Sequence, residues 1–160
     1  MTVAKGIAGG MPISAVVGRA EIMDSSHPGG IGGTFGGNPV AAAAAIAVLK
    51  QIEDGGVLEK AQHIESVMMA RLSEMKEKYP VIGEIRGRGA MIAIEFVNPG
   101  TRVPNAAAVE AVVKHAHTNG VVILNAGTYG NVVRFLPSLA ISDALIHDAL
   151  DVVEAGIANL

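Results

Sequence analysis

Val3-Ala4-Lys5-Gly6-Ile7-Ala8-Gly9-Gly10-Met11-Pro12 is the stretch around which the rest of the chain is organised. One lysine stands between a short apolar run and a segment carrying three glycines and a proline. Glycine admits positive φ and proline removes a backbone donor, so a turn is expected here, neither regular helix nor regular strand. Desolvation disfavours charge, so a lysine pinned at such a junction in a partly dry pocket is driven towards the free amine. A free amine is the nucleophile that captures a carbonyl. The ordinary alternative is a solvated lysine in a loop, where most lysines are found.

Two further motifs follow in order. Gly33-Thr34 sits within Gly32-Gly33-Thr34-Phe35-Gly36-Gly37-Asn38-Pro39. Backbone N–H groups in a glycine turn, beside a hydroxyl, are good donors for a phosphate dianion, although such a turn is also an ordinary flexible connector. Arg134 lies within Asn131-Val132-Val133-Arg134-Phe135-Leu136-Pro137, where apolar neighbours make a strand and the one charge calls for a reason. A planar guanidinium grips a carboxylate through two parallel hydrogen bonds. The alternatives are an arginine facing solvent or one paired with Glu95.

With Ala4-Lys5-Gly6-Ile7-Ala8-Gly9-Gly10-Met11-Pro12-Ile13-Ser14-Ala15-Val16-Val17-Gly18 ahead of these motifs, the chain resembles the C-terminal part of class III (ω-) aminotransferases, which use pyridoxal phosphate (PLP). The likeness covers essentially the whole chain. It implies an α/β architecture of PLP-transferase fold type I: residues 1–38 as the end of the large PLP-binding domain, 39–56 as a connecting helix, and 57–160 as the small C-terminal α/β domain with a largely antiparallel sheet. It implies that Lys5 holds PLP through a Schiff base and then serves as general base. By the same resemblance Gly33 and Thr34 reach the cofactor phosphate of a neighbouring subunit, which makes the protein a homodimer with a shared active site, and Arg134 anchors the substrate carboxylate. The implied reaction transfers an amino group from an ω-amino acid, 4-aminobutyrate, to a 2-oxo acid such as 2-oxoglutarate; ornithine and acetylornithine types are the alternatives within the family. The family's pyridinium-facing aspartate, stacking aromatic and main phosphate loop lie upstream of the lysine. The 160 residues alone are therefore expected to be inactive and to bind PLP weakly. A reading of another class is a non-catalytic α/β interaction module whose glycine loop and apolar surface serve assembly.

Composition bounds the options. Hydrophobic residues make up 50% and the mean hydropathy is +0.42, high for an independent soluble domain. Part of that excess is alanine, notably Ala41 to Ala45. The rest is expected to be surface covered by other protein. Aromatic residues are only 3% and the net charge is −3, which supports neither base stacking nor a phosphate-backbone field and argues against a nucleic-acid partner. With no cysteine there is no disulfide framework and no thiolate metal site. The apolar run Val40 to Leu49 falls well short of the ~20 residues of a membrane span, and Lys5 follows Met1 without a secretory apolar core; a cytosolic location is expected.

Along the chain, residues 13–18 are expected to form a short strand and 21–24 a helical turn. Residues 25–38, with six glycines, form a long connection of the kind that is usually functional. Asn38-Pro39 is a helix start, and the helix should run to about Glu53 and end at Gly55-Gly56. A second helix over 57–78 shows Leu58, Ala61, Ile64, Val67 or Met68, Leu72 and Met75 on one face. Strands are expected at 82–85, 90–97, 121–124 and 131–136, with a turn at Gly87-Arg88-Gly89. Helices are expected over 105–118 and, capped by Ser142, to about Ala158. His115 and His117, two apart on a helix, do not face the same way and make no chelating pair. His27, His63 and His147 are isolated, and Glu74, Glu77, Asp143 and Asp148 read as solvated helix faces. Arg88 reads as structural, and Gly127-Thr128-Tyr129-Gly130 as lining the site near Arg134.

Overall fold

A computed structural model describes all 160 residues. They fall into two compact units, Met1–Val57 and Leu58–Leu160.

In the first unit a two-residue strand β1 (Thr2–Val3) pairs antiparallel with β2 (Ala15–Val16), Thr2 opposite Val16 and Val3 opposite Ala15. The expected strand over 13–18 shrinks to this pair. A short helix α1 (Ala20–Met23) and the glycine-rich connection then lead to α2 (Pro39–Asp54). The Asn38 side-chain oxygen accepts from the N–H groups of Val40 (2.9 Å) and Ala41 (3.2 Å), and Pro39 occupies the first turn. This is the cap that the sequence announces. Only Ala8 and Ala41 among this unit's apolar residues are fully buried, whereas Val40, Ile46, Leu49 and Ile52 along α2 stand exposed. An apolar surface of this kind is characteristic of a protein contact.

The second unit is a two-layer α/β sandwich. Its sheet has the order β3-β4-β6-β5, from β3 (Ile82–Arg88), β4 (Met91–Phe96), β5 (Leu124–Ala126) and β6 (Val132–Phe135), and every pairing is antiparallel. Strand side chains alternate between faces. Ile92, Ile94, Phe96, Val133 and Phe135 point to one face and are buried. Against them pack Ile64, Met68, Leu72 and Met75 of α3 (Val57–Lys78), Val109 and Val112 of α4 (Ala106–Thr118), and Ile146, Leu150 and Val153 of α5 (Asp143–Ala158). Leu58, expected on the inner face of α3, is exposed. Asn105 and Ser142 cap α4 and α5 through their side-chain oxygens.

The opposite face of the sheet stays uncovered by the helices and carries Glu84, Arg86, Ala93, Glu95 and Arg134, all exposed or half-buried. Two local differences from expectation shape it. β3 runs on through Arg88, so the turn tightens to Gly89-Ala90, with Gly89 at φ +58°. Glu65 of α3 accepts a hydrogen bond from the Gly89 N–H and pins this hairpin end. The strand expected at 121–124 begins only at Leu124. The helix exit takes the backbone before it, the Val121 N–H donating to the Ala116 carbonyl (2.9 Å) and the His117 ring bonding the Ile123 carbonyl (2.9 Å).

Candidate active site

The lysine turn is built from the β1–β2 ladder outward. The N-terminal amine donates to the Val17 carbonyl (2.6 Å) and the Val17 N–H to the Met1 carbonyl (2.8 Å), so the two ends of the turn are tied together. Between them Lys5–Ala8 form one 3₁₀ turn that ends at Gly9 with φ +57°. This turn and the short β1 are the regular pieces that the glycine-rich reading excluded; they are too short for sequence periodicity to reveal. Lys5 itself has φ +59°, the only non-glycine residue of the chain in the left-handed region. That conformation brings Cβ against the following carbonyl and costs an L-residue about 1–2 kcal/mol. Such strain persists where surrounding structure imposes it, and it concentrates at functional sites.

What imposes it is packing of the turn onto α2. Ala8 is 1% and Ala41 0% exposed. Gly9 faces the helix, where an added Cβ would stand in ordinary van der Waals contact with Val48 at 3.7 Å. Lys5 is lifted clear of this contact and its side chain is exposed, without a hydrogen-bond partner. The partly dry pocket expected around it is not formed by these 160 residues, because its neighbours Ala4 and Gly6 are small and themselves exposed.

In the same unit the glycine-rich connection folds back on the segment that follows the lysine turn. Ile31 to Gly37 and Pro12 to Val16 together line an open cavity of about 610 Å³. Gly33 and Thr34 lie in its wall, whereas Lys5 does not. A turn closed by the Gly36 N–H donating to the Gly33 carbonyl (2.9 Å) presents the N–H groups of Gly33, Thr34 and Phe35 and the Thr34 hydroxyl, none of which bonds within the chain. Several unpaired donors on one turn, with no acidic side chain among the lining residues, suit a phosphate.

Arg134 belongs to the second unit and stands on the uncovered face of β6, opposite Ala93 on one side and Leu124 on the other. It is exposed and makes no ion pair. Glu95, the partner that strand pairing offers it, is held by Arg86 at 2.7 Å, and Arg86 also bonds Glu84 at 3.0 Å. Both carboxylates keep the Arg86 guanidinium charged, its pKa raised above the ordinary range first by the hydrogen bond to Glu95. Sequence reasoning overlooked this cluster, whose one signal was charged residues alternating along β3 and β4. The turn at 127–130 joins β5 to β6 beyond the Ala126–Val132 pair, two residue pairs along the ladder from Arg134. Asp143 is exposed as expected, and it bonds His63, which was expected to be isolated, at 2.9 Å.

A family profile described as "Aminotransferase class-III" matches residues 1–157. The chain is 52% identical over 157 residues to a 4-aminobutyrate aminotransferase of Mycobacterium tuberculosis, covering 98% of this chain and 35% of the relative. It is 46% identical over 159 residues to the 5-aminovalerate aminotransferase DavT of Pseudomonas putida, covering 99% of this chain and 37% of that enzyme. Among solved structures, an amine transaminase of an uncultivated Pseudomonas species in its PLP-bound form superposes with a TM-score of 0.82 at 29% identity, over 99% of this chain and 38% of that one. The chain thus spans little more than a third of the length of the relatives it matches.

Proposed function

This chain belongs to the class III aminotransferases, and from that premise we propose that it carries the lysine, one phosphate-binding turn and the carboxylate-binding arginine of a PLP-dependent ω-amino acid transaminase. When bound, PLP supplies an aldehyde for amine capture and a ring that draws off the electron pair released at the substrate carbon. Lys5 would hold the cofactor through Nζ. As a free amine beside the substrate, that nitrogen would be the base that takes the proton from the carbon bearing the substrate's amino group and the acid that returns it. Gly33 and Thr34 would donate their N–H groups, and Thr34 its hydroxyl, to the phosphate of a second copy's cofactor in a homodimer. Arg134 would fix the far carboxylate of 4-aminobutyrate, or of a one-carbon-longer ω-amino acid, and then that of the 2-oxo acid.

One observation carries this reading: the single non-glycine residue held in left-handed conformation is Lys5, on a turn clamped at both ends. The exposed apolar residues of α2 support a further part of it, in which other protein of the same fold covers this surface and supplies the drying that Lys5 lacks. On its own, the chain would then bind PLP weakly and not turn over.

The test is incubation with PLP, borohydride reduction and mapping of the modified lysine. Modification concentrated at Lys5 over the five other lysines supports the proposal. Modification spread over all six, or sparing Lys5, favours the interaction module.

A further inference from the structure

We propose that Arg86 is a positioning residue for Arg134: by occupying Glu95 it keeps the Arg134 guanidinium free to take a carboxylate. The inference rests on the proposed carboxylate-binding role of Arg134.

The sheet register sets the problem. Ala93 lies opposite Arg134, and Glu95, two residues along β4, is on the same face and diagonal to it. Diagonal neighbours on an antiparallel pair are about 7–8 Å apart at Cα, within reach of long side chains. Glu95 is therefore an internal competitor for the guanidinium, a carboxylate tethered beside the one residue that should bind a free carboxylate. The register also places Glu84 directly opposite Glu95, a like-charged pair that repels. Arg86, opposite Ala93 on the other flank of β4, answers both difficulties with one nitrogen, Nη1, bonding Glu95 at 2.7 Å and Glu84 at 3.0 Å. Glu95 is thus turned towards β3 and away from β6. Arg134 is left with Ala93 and Leu124 as its cross-strand neighbours, neither of which can accept a hydrogen bond through its side chain.

Without Arg86, the Glu95 carboxylate loses its partner and has Arg134 diagonal to it across the ladder. Exposed pairs of this kind are weak, so the expected penalty on binding a free carboxylate is about three- to five-fold.

The experiment uses the 160-residue chain with succinate as the carboxylate probe, followed through the Arg134 Nε–Hε NMR signal, which is assigned by its disappearance in R134K. In the native sequence the signal should move on titration with succinate. In R86M the same movement should require three to five times more succinate, and in R86M/E95Q the native titration should return. E95Q alone should bind at least as well as the native chain, an outcome that a purely structural role for the Arg86–Glu95 pair does not give. Should R86M not fold, E84Q/R86M removes the facing charge and replaces it, with E84Q/R86M/E95Q as its restoring partner. Unchanged titration in the Arg86 variants, or no recovery on adding E95Q, overturns the inference. Indifference of the native Arg134 signal to succinate instead overturns the carboxylate role itself.

Discussion

Replacing Lys5 by glycine should make the lysine turn more stable, although it removes the residue on which the proposed chemistry depends. The side chain is exposed and makes no hydrogen bond, so its loss forfeits little. Its backbone at φ +59° is relieved by glycine, a gain of about 1–2 kcal/mol. Against this, glycine adds freedom to the unfolded chain, costing about 0.4–1 kcal/mol. The net expectation is roughly 0.5–1 kcal/mol in favour of K5G. Lys5→Ala keeps the strain and should lie within about 0.5 kcal/mol of the native chain. The protein has no tryptophan, and both tyrosines lie in the second unit, so bulk fluorescence would miss the effect. Native-state hydrogen exchange reads it directly at two amides, Val17, which donates to the Met1 carbonyl, and Met11, which donates to the Ala8 carbonyl. Both should exchange roughly two- to five-fold more slowly in K5G than in K5A. Equal exchange in the two variants, or greater protection in K5A, would mean that the left-handed turn stores no strain, and the inference from strain to function would lose its footing.

Asn38→Ala should cost α2 about 1 kcal/mol, because two first-turn N–H groups lose their side-chain acceptor; faster exchange at Val40 and Ala41, restored by Asn38→Asp, checks it. Leu72→Ala removes a fully buried side chain from the centre of the second unit and should destabilise it by about 2–5 kcal/mol, read by urea unfolding followed by tyrosine fluorescence. Glu154 accepts from Lys78 (2.8 Å), Tyr79 (3.2 Å) and Arg71 (3.1 Å), and its pKa is held below the ordinary carboxylate range, chiefly by the bond to Lys78. A depressed folded pKa means stability that is complete above the unfolded value and lost as pH falls through the folded one. The second unit should therefore weaken once the pH drops below roughly 5. Glu154→Gln should flatten that acid limb in thermal melts, and an unchanged limb would assign it to other carboxylates.

The helices of this chain were legible because each carries its own start signal and a period long enough to read. α3 was expected over 57–78 and found there, its stripe of Ile64, Met68, Leu72 and Met75 repeating through about three turns. Asn38 and Ser142 marked two other starts and cap as expected, and Asn105, expected as the first helical residue, turns out to cap α4. Short strands carry less information. Val121-Val122-Ile123 has strand composition, yet its backbone is engaged by the end of α4, an outcome that depends on where a helix stops. The region around Lys5 was illegible for a different reason. Glycines advertise turns, but nothing in a lysine advertises positive φ; the ladder at its ends and the helix beneath it impose that conformation. The Arg86–Glu95 pairing was equally hidden, since a one-residue change of register would move these side chains to opposite faces.

The alanines at the start of α2 therefore carry more than helix propensity. The proton transfer proposed for Lys5 requires placement within fractions of an ångström, and a turn achieves that only by resting on something rigid. Ala8 of the turn and Ala41 of α2 are both fully buried, and Val48, seven residues on from Ala41 and so on the same side of the helix, lies 3.7 Å from where a Cβ on Gly9 would stand. Ala41 is 0% exposed, so added methylenes there find no space and must displace what packs on the helix, where the turn rests. Strain at Lys5 and close packing at Ala41 are thus two ends of one device. The helix fixes the height of the turn, the β1–β2 ladder fixes its ends, and the lysine backbone takes the one conformation that satisfies both. Ala41→Leu should accordingly release Lys5 from its left-handed conformation before it unfolds α2. The K5G-minus-K5A difference in exchange at Val17 and Met11 should then fall towards zero in the A41L background, whereas a difference of undiminished size would show that the helix does not set the turn.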